Sequence, residues 1–194
     1  MRLGLISDLH GNRLALEAVL EDLEEAGIDR LVCLGDVAAG PEPRATIERL
    51  QALECPVVVG NWDCWLLEGM PHLPGEAGPK LRDQGDWSAG QLGEAEQAFL
   101  AAGHTHVQLA RQHGSTLIVN PGSVGLPFNS WPVNGALRVS PWAEYAILTI
   151  EEGLISTELR RVSYDISALL DVARQSGMPH TEWWADQWLT SALP

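Results

Sequence analysis

Three short apolar runs near the start of the chain each break into a polar loop, and segments of helical period separate them. Residues 2–7 (RLGLIS) end at Asp8, residues 30–34 (RLVCL) end at Gly35-Asp36, and residues 56–59 (PVVV) end at Gly60-Asn61. Over residues 13–26, Leu14, Leu16, Val19, Leu20 and Leu23 recur at helical spacing, with Gly27 placed to cap the end. Residues 43–53 repeat the signal, with Pro43 in an early turn and Ile47, Leu50 and Leu53 on one face. This order predicts β-α-β-α-β. In open α/β sheets ligands bind beyond the carboxyl ends of the strands, which is where the polar loops fall.

The rest of the chain is less regular. Residues 69–80 are rich in Gly and Pro and read as a loop, and residues 88–102 read as a helix that abuts Gly103-His104-Thr105-His106 with no strand before it. Residues 115–119 form a strand candidate ending at Asn120-Pro121-Gly122-Ser123, and residues 144–150 and 154–162 suit an antiparallel pair joined at Glu151–Gly153. Two helices, 165–176 and 181–193, close the chain. A length of 194 residues favours one domain, 1–194, with 165–194 as a C-terminal helical extension.

Charge narrows the function. Twelve basic against 26 acidic residues give a net charge of −14, which repels polyanions and excludes nucleic-acid coating and anionic-membrane binding. Small phosphorylated substrates remain open where bound cations supply positive charge. No apolar run is long enough to span a bilayer, and Asp8 interrupts the N-terminal apolar stretch too early for a signal peptide. With three cysteines (Cys33, Cys55, Cys64) and no CxxC, a reduced, cytoplasmic setting is expected.

Four polar clusters carry candidate chemistry: Asp8-Leu9-His10, Gly35-Asp36, Gly60-Asn61-Trp62-Asp63 and Gly103-His104-Thr105-His106. Singly, each has an ordinary reading as a turn or a capped loop. Together, three of them follow successive strand candidates and gather along one sheet edge. They offer carboxylates, imidazoles and an amide oxygen, a mixed N/O donor set suited to Mn²⁺, Fe or Zn²⁺.

In that order the motifs DxH, GD, GNxD and GHTH resemble the calcineurin-like metallophosphoesterase superfamily. DLHGN, GNWD, GHTH and NPGSVG are similar to its YfcE-type branch of small phosphodiesterases. The resemblance covers residues 1–64 and 103–166 and implies a metallophosphoesterase-like α/β sandwich, two mixed β-sheets flanked by helices. It also implies a metal-dependent phosphoesterase, in particular a phosphodiesterase, acting on a small or nucleotide-like phosphate ester. Two divalent ions are implied, Mn²⁺ first, with Fe, Zn²⁺ or Ni²⁺ as alternatives. Asp8, His10, Asp36 and His106 would hold the first metal, and Asp36, Asn61 and His104 the second. Asp36, Asn61 and His104 would form the catalytic set around a hydroxide bridging the metals. Asn12 and Arg13, at the start of the first helix, would contact the substrate phosphate.

Two departures from the family pattern stand out. The family carries a further histidine, in an HG motif at a strand end between GNxD and GHxH, that completes the second metal's shell. The only histidine in that interval here is His72, in MPHLPG, so a strand-bearing segment is expected to be absent before Gly103. Trp62 also stands where many members place a histidine that protonates the leaving group, which favours substrates with good leaving groups. Asp63 reads as a hydrogen-bonding partner rather than a ligand. Trp183, Trp184 and Trp188 on the last helix read as packing against the body, with a ligand platform or a homodimer interface as alternatives. The rival to an enzyme is a non-catalytic scaffold, because the superfamily includes a retromer subunit that resembles this branch.

Overall fold

The computed structural model describes residues 1–97, 99–100, 102–103, 109–113, 116–128 and 138–189. At its centre β1 (Arg2–Ile6) pairs in parallel with β2 (Arg30–Cys33) and antiparallel with β7 (Trp142–Glu151). β8 (Leu154–Ser163) extends the other edge, giving the order β2-β1-β7-β8. The turn joining β7 to β8 places Glu152 at φ 50° and Gly153 at φ 83°, the paired positive values a two-residue hairpin loop needs to match strand twist.

Helices flank this mixed sheet. α1 (Arg13–Ala26) buries Ala15, Leu16, Val19 and Leu23 and ends at Gly27 in the left-handed region, φ 65°. The spacing of those four residues is the helical stripe visible in the sequence. α2 (Pro43–Ala52) buries Ile47 and Leu50. With Ile6, Val37, Tyr145 and Ile147 they form the main core. A second core lies beneath α6 (Ile166–Ser176) and α7 (Thr181–Leu189), where Leu169, Ala173, Trp184, Ala185 and Trp188 pack with Val139. Trp184 and Trp188 are only 4% exposed. The terminal helices therefore pack on their own chain.

Three expectations need correction. First, a strand does precede the Gly103-His104 loop: β4 (Ala102–Gly103) runs parallel to β3 (Val59–Gly60), with Gly60 opposite Gly103. Two residues carry too little periodicity to register as a strand. Second, the apolar run 56–59 is mostly not a ladder. Pro56 has no N–H to give, so the segment meets β2 through Cys33 N–H to the Pro56 carbonyl and Val58 N–H to the Cys33 carbonyl. Third, the helix expected over 88–102 is instead α4 (Gly78–Gly90) followed by the short α5 (Glu94–Gln97). Gly90 and Gly93 interrupt the helix, as glycine's backbone freedom favours. α4 begins inside the segment read as loop because Pro79 suits a first turn, and a Cβ at Gly85 would lie 2.4 Å from the Met70 sulfur.

Of the two sheets expected, the described residues show the four-stranded sheet, the β3-β4 pair and a hairpin of β5 (Leu109–His113) with β6 (Thr116–Asn120). No described helix is long and apolar enough to cross a membrane.

Candidate metal centre

The site is assembled by loops leaving the carboxyl ends of β1, β2 and β3. Backbone hydrogen bonds bind the first two loops together: Asp8 N–H donates to the Gly35 carbonyl, His10 N–H to Asp36 and Gly11 N–H to Val37, at 2.8–2.9 Å. This interlock turns Asp8, His10 and Asp36 inward. Their candidate donor atoms all lie within 4.8 Å of one another, and all three residues are buried.

Holding them there requires an unusual backbone. Asp8, His10 and Asp36 have φ values of 54°, 48° and 53°, a left-handed conformation that costs side-chain-bearing residues on the order of 1–3 kcal/mol each and clusters at functional sites. Glycines make the close approach feasible. A Cβ at Gly60 would lie 1.6 Å from Asp36 Oδ1, one at Gly40 would lie 1.8 Å from the His10 carbonyl oxygen, and one at Gly125 would lie 1.8 Å from that of Leu9.

Asp63, buried in α3 (Asn61–Glu68), fastens the second loop to the third. Its carboxylate accepts from the N–H groups of Asp36 (2.8 Å), Val37 (2.9 Å) and Gly60 (3.0 Å). Asp36 Oδ1 in turn accepts from Trp62 N–H at 2.9 Å. The segment after β6 buttresses the first loop, because Ser123 Oγ donates to the Asp8 carbonyl at 2.8 Å and Gly125 N–H donates to the same carbonyl at 2.9 Å.

The electrostatics favour a cation. Burial, followed by the charges of Asp8 and Asp63, pushes the Asp36 carboxyl up to about 8. Burial likewise raises Asp63, against the pull of its three N–H donors. Carboxylates crowded out of water repel one another, and a divalent ion between them relieves that repulsion. Two carboxylates and an imidazole, all within one ion's reach, form a donor set that fits such an ion.

The other sequence-predicted residues fall as follows. Asn61 opens α3 directly after Gly60, beside Asp36. His104 and His106 lie outside the described residues, although Gly103, just before His104, pairs with Gly60, just before Asn61. Asn12 caps α1: its Oδ1 accepts from Ala15 N–H at 3.0 Å while Nδ2 donates to the Gly125 carbonyl and the Tyr164 hydroxyl. Its side chain is thus engaged in holding the fold. Arg13 lies at the surface beside Glu17, with 3.3 Å between Nε and Oε1. His72 is exposed. Missing from the sequence reading were the Gly40 and Gly125 approaches, and only contacts distant in the chain reveal them.

The sequence model of the calcineurin-like phosphoesterase superfamily domain matches residues 1–96 and 85–153. The chain belongs to this superfamily. Among curated proteins, phosphodiesterase YfcE of Escherichia coli is 33% identical over 165 residues, covering 69% of this chain and 85% of that one. An uncharacterized Methanocaldococcus jannaschii protein, MJ0912, is 42% identical over 66 residues, a match spanning 34% of this chain and only 27% of that protein. In structure, a metallophosphoesterase from Sphaerobacter thermophilus aligns over 100% of both chains with TM-score 0.73 and 25% identity. The PH1004 protein of Pyrococcus horikoshii aligns over 96% of this chain and 97% of its own with the same score and 17% identity, a likeness of fold. Metallophosphoesterase membership implies divalent metal ions, and Asp8, His10 and Asp36 form a candidate group for holding one.

Proposed function

We propose that this superfamily member is a metal-dependent phosphodiesterase that hydrolyses small, nucleotide-like phosphate esters. The observation that carries the proposal is the buried Asp8-His10-Asp36 cluster, built by strained backbone at the ends of adjacent strands. A phosphodiesterase relative at 33% identity supports the same reaction class. In this account Asp8, His10, Asp36 and His106 hold one ion, and Asp36, Asn61 and His104 hold a second, with Mn²⁺ preferred. Such ions, when bound, supply positive charge for the phosphoryl oxygens and lower the pKa of the attacking water.

The chain's own residues do the rest. Asp36 joins the two halves of the site, and the three N–H groups on Asp63 fix the loop that carries it. Trp62 brings no proton at the position where an acid would serve the leaving group, so esters of acidic alcohols and phenols are favoured. The enzyme is proposed to be a single cytoplasmic domain with residues 165–194 as its helical extension. It works on small phosphorylated substrates rather than nucleic acids or membranes, alone or as a homodimer. A scaffold role is not favoured, because Trp184 and Trp188 are covered by their own chain.

Asp36→Asn tests the mechanism. It keeps the side chain's shape and removes the charge that both halves of the site share. Turnover of bis-p-nitrophenyl phosphate is expected to fall at least about 100-fold, with the thermal unfolding transition retained. Wild-type turnover in a folded variant would remove Asp36 from the mechanism.

A further inference from the structure

The first two turns of α3 carry two tryptophans, Trp62 and Trp65, three positions apart and so on one face of the helix. Their rings meet edge to face, with centroids 5.4 Å apart and planes at 60°. Trp62 also meets the His10 imidazole, at 6.0 Å and 88°. Trp62 thus links the His10 ring to the Trp65 ring, and both indoles remain partly exposed. The backbone of Trp62 is fixed to the site by its N–H bond to Asp36 Oδ1. The Trp62 ring is therefore next to one of the three residues of the candidate metal cluster. An indole cannot deliver a proton to a leaving oxygen as an imidazolium can, but it offers a broad face on which planar groups stack.

We propose that Trp62, supported by Trp65, is a stacking platform for the nucleobase of a nucleoside phosphodiester and sets the substrate class of this site. This inference rests on the phosphodiesterase reading above. The platform makes Trp62 a specificity residue, and it accounts for an aromatic residue beside the metal ligands in a chain too acidic to attract nucleotides by charge.

The test compares two esters with the same acidic, non-planar leaving group, thymidine 5′-(2,2,2-trifluoroethyl) phosphate and methyl 2,2,2-trifluoroethyl phosphate, in Mn²⁺-loaded wild type, Trp62→Ala and Trp62→Phe. Stacking of one base predicts that the kcat/KM ratio, nucleoside over methyl ester, falls roughly 5- to 150-fold in Trp62→Ala. Trp62→Phe should recover most of it. Equilibrium dialysis of thymidine 5′-monophosphate gives a second readout without turnover, and weaker binding to Trp62→Ala is expected. A ratio and a nucleotide affinity that are the same in wild type and Trp62→Ala would overturn the platform, because a ring that only covers His10 affects both esters alike. Turnover of neither ester by wild type, together with nucleotide binding that depends on Trp62, would overturn the phosphodiesterase reading and leave the platform standing.

Discussion

At the residue scale the site depends on groups that touch no ligand. Asp63 satisfies three buried backbone N–H groups on two loops, and a buried donor left without a partner costs about 1–3 kcal/mol. Asp63→Ala is therefore expected to destabilise the protein by about 3 kcal/mol or more, read as a lower urea midpoint. A loss under about 1 kcal/mol would show that the loops hold without it. The role of Asp63 was legible in the sequence, since an acidic residue two positions past Asn61 reads as a hydrogen-bonding partner in a turn. The backbone of its neighbours was not. Asp8, His10 and Asp36 adopt positive φ although none is glycine, because contacts from remote segments, among them Gly40 and Gly125, impose it.

At the element scale β7 begins near the site and buries a charge. Glu144 is 6% exposed; its carboxylate accepts from Trp142 Nε1 at 3.2 Å and pairs with Arg161 at 3.0 Å. Burial raises its pKa above 4.5, and the Trp142 bond and Arg161 offset part of the rise. The folded state then binds more protons than the unfolded state between the two pKa values, so Glu144 favours folding below 4.5 and loses that contribution as pH rises through its folded pKa. Glu144→Gln does not titrate. Its stability relative to wild type should improve as pH is raised from about 4 to about 7, measured by urea unfolding at each pH. A difference that moves the other way would mean that the Arg161 pair outweighs burial.

The elements themselves divide by length. β1, β2, α1, α2 and the β7-β8 hairpin were legible because their apolar periods are long and their ends carry Gly or polar caps. β3 and β4 have two residues each and exist through their pairing with each other. β5 is a polar strand that exists through β6. The apolar run 56–59 announced β3 in part, whereas tertiary pairing defines β4 and β5 and no local pattern announces them.

At the scale of the whole molecule the last two helices pack against the body of the chain. Trp188 meets Trp184 at 5.7 Å and Tyr164 at 6.3 Å, and Tyr164 accepts from the Asn12 amide that caps α1. The C-terminal core is thereby tied to the loop that carries His10. Trp184→Ala should cost about 3–5 kcal/mol of stability by thermal or urea unfolding, the range for emptying a buried aromatic site. A near-neutral change would place the helix on the surface and revive an interface role. The architecture as a whole gathers three strand-end loops at one edge of the sheet and crowds carboxylates into them, an arrangement that favours a cation.

That dependence on a cation is tested most directly by stripping the protein of metal with a chelator and following bis-p-nitrophenyl phosphate hydrolysis as Mn²⁺ is restored. The account predicts negligible turnover in the stripped protein, and recovery that saturates as Mn²⁺ fills the Asp8-His10-Asp36 cluster. Equal turnover with and without Mn²⁺, or none at any Mn²⁺ concentration in folded protein, would contradict it.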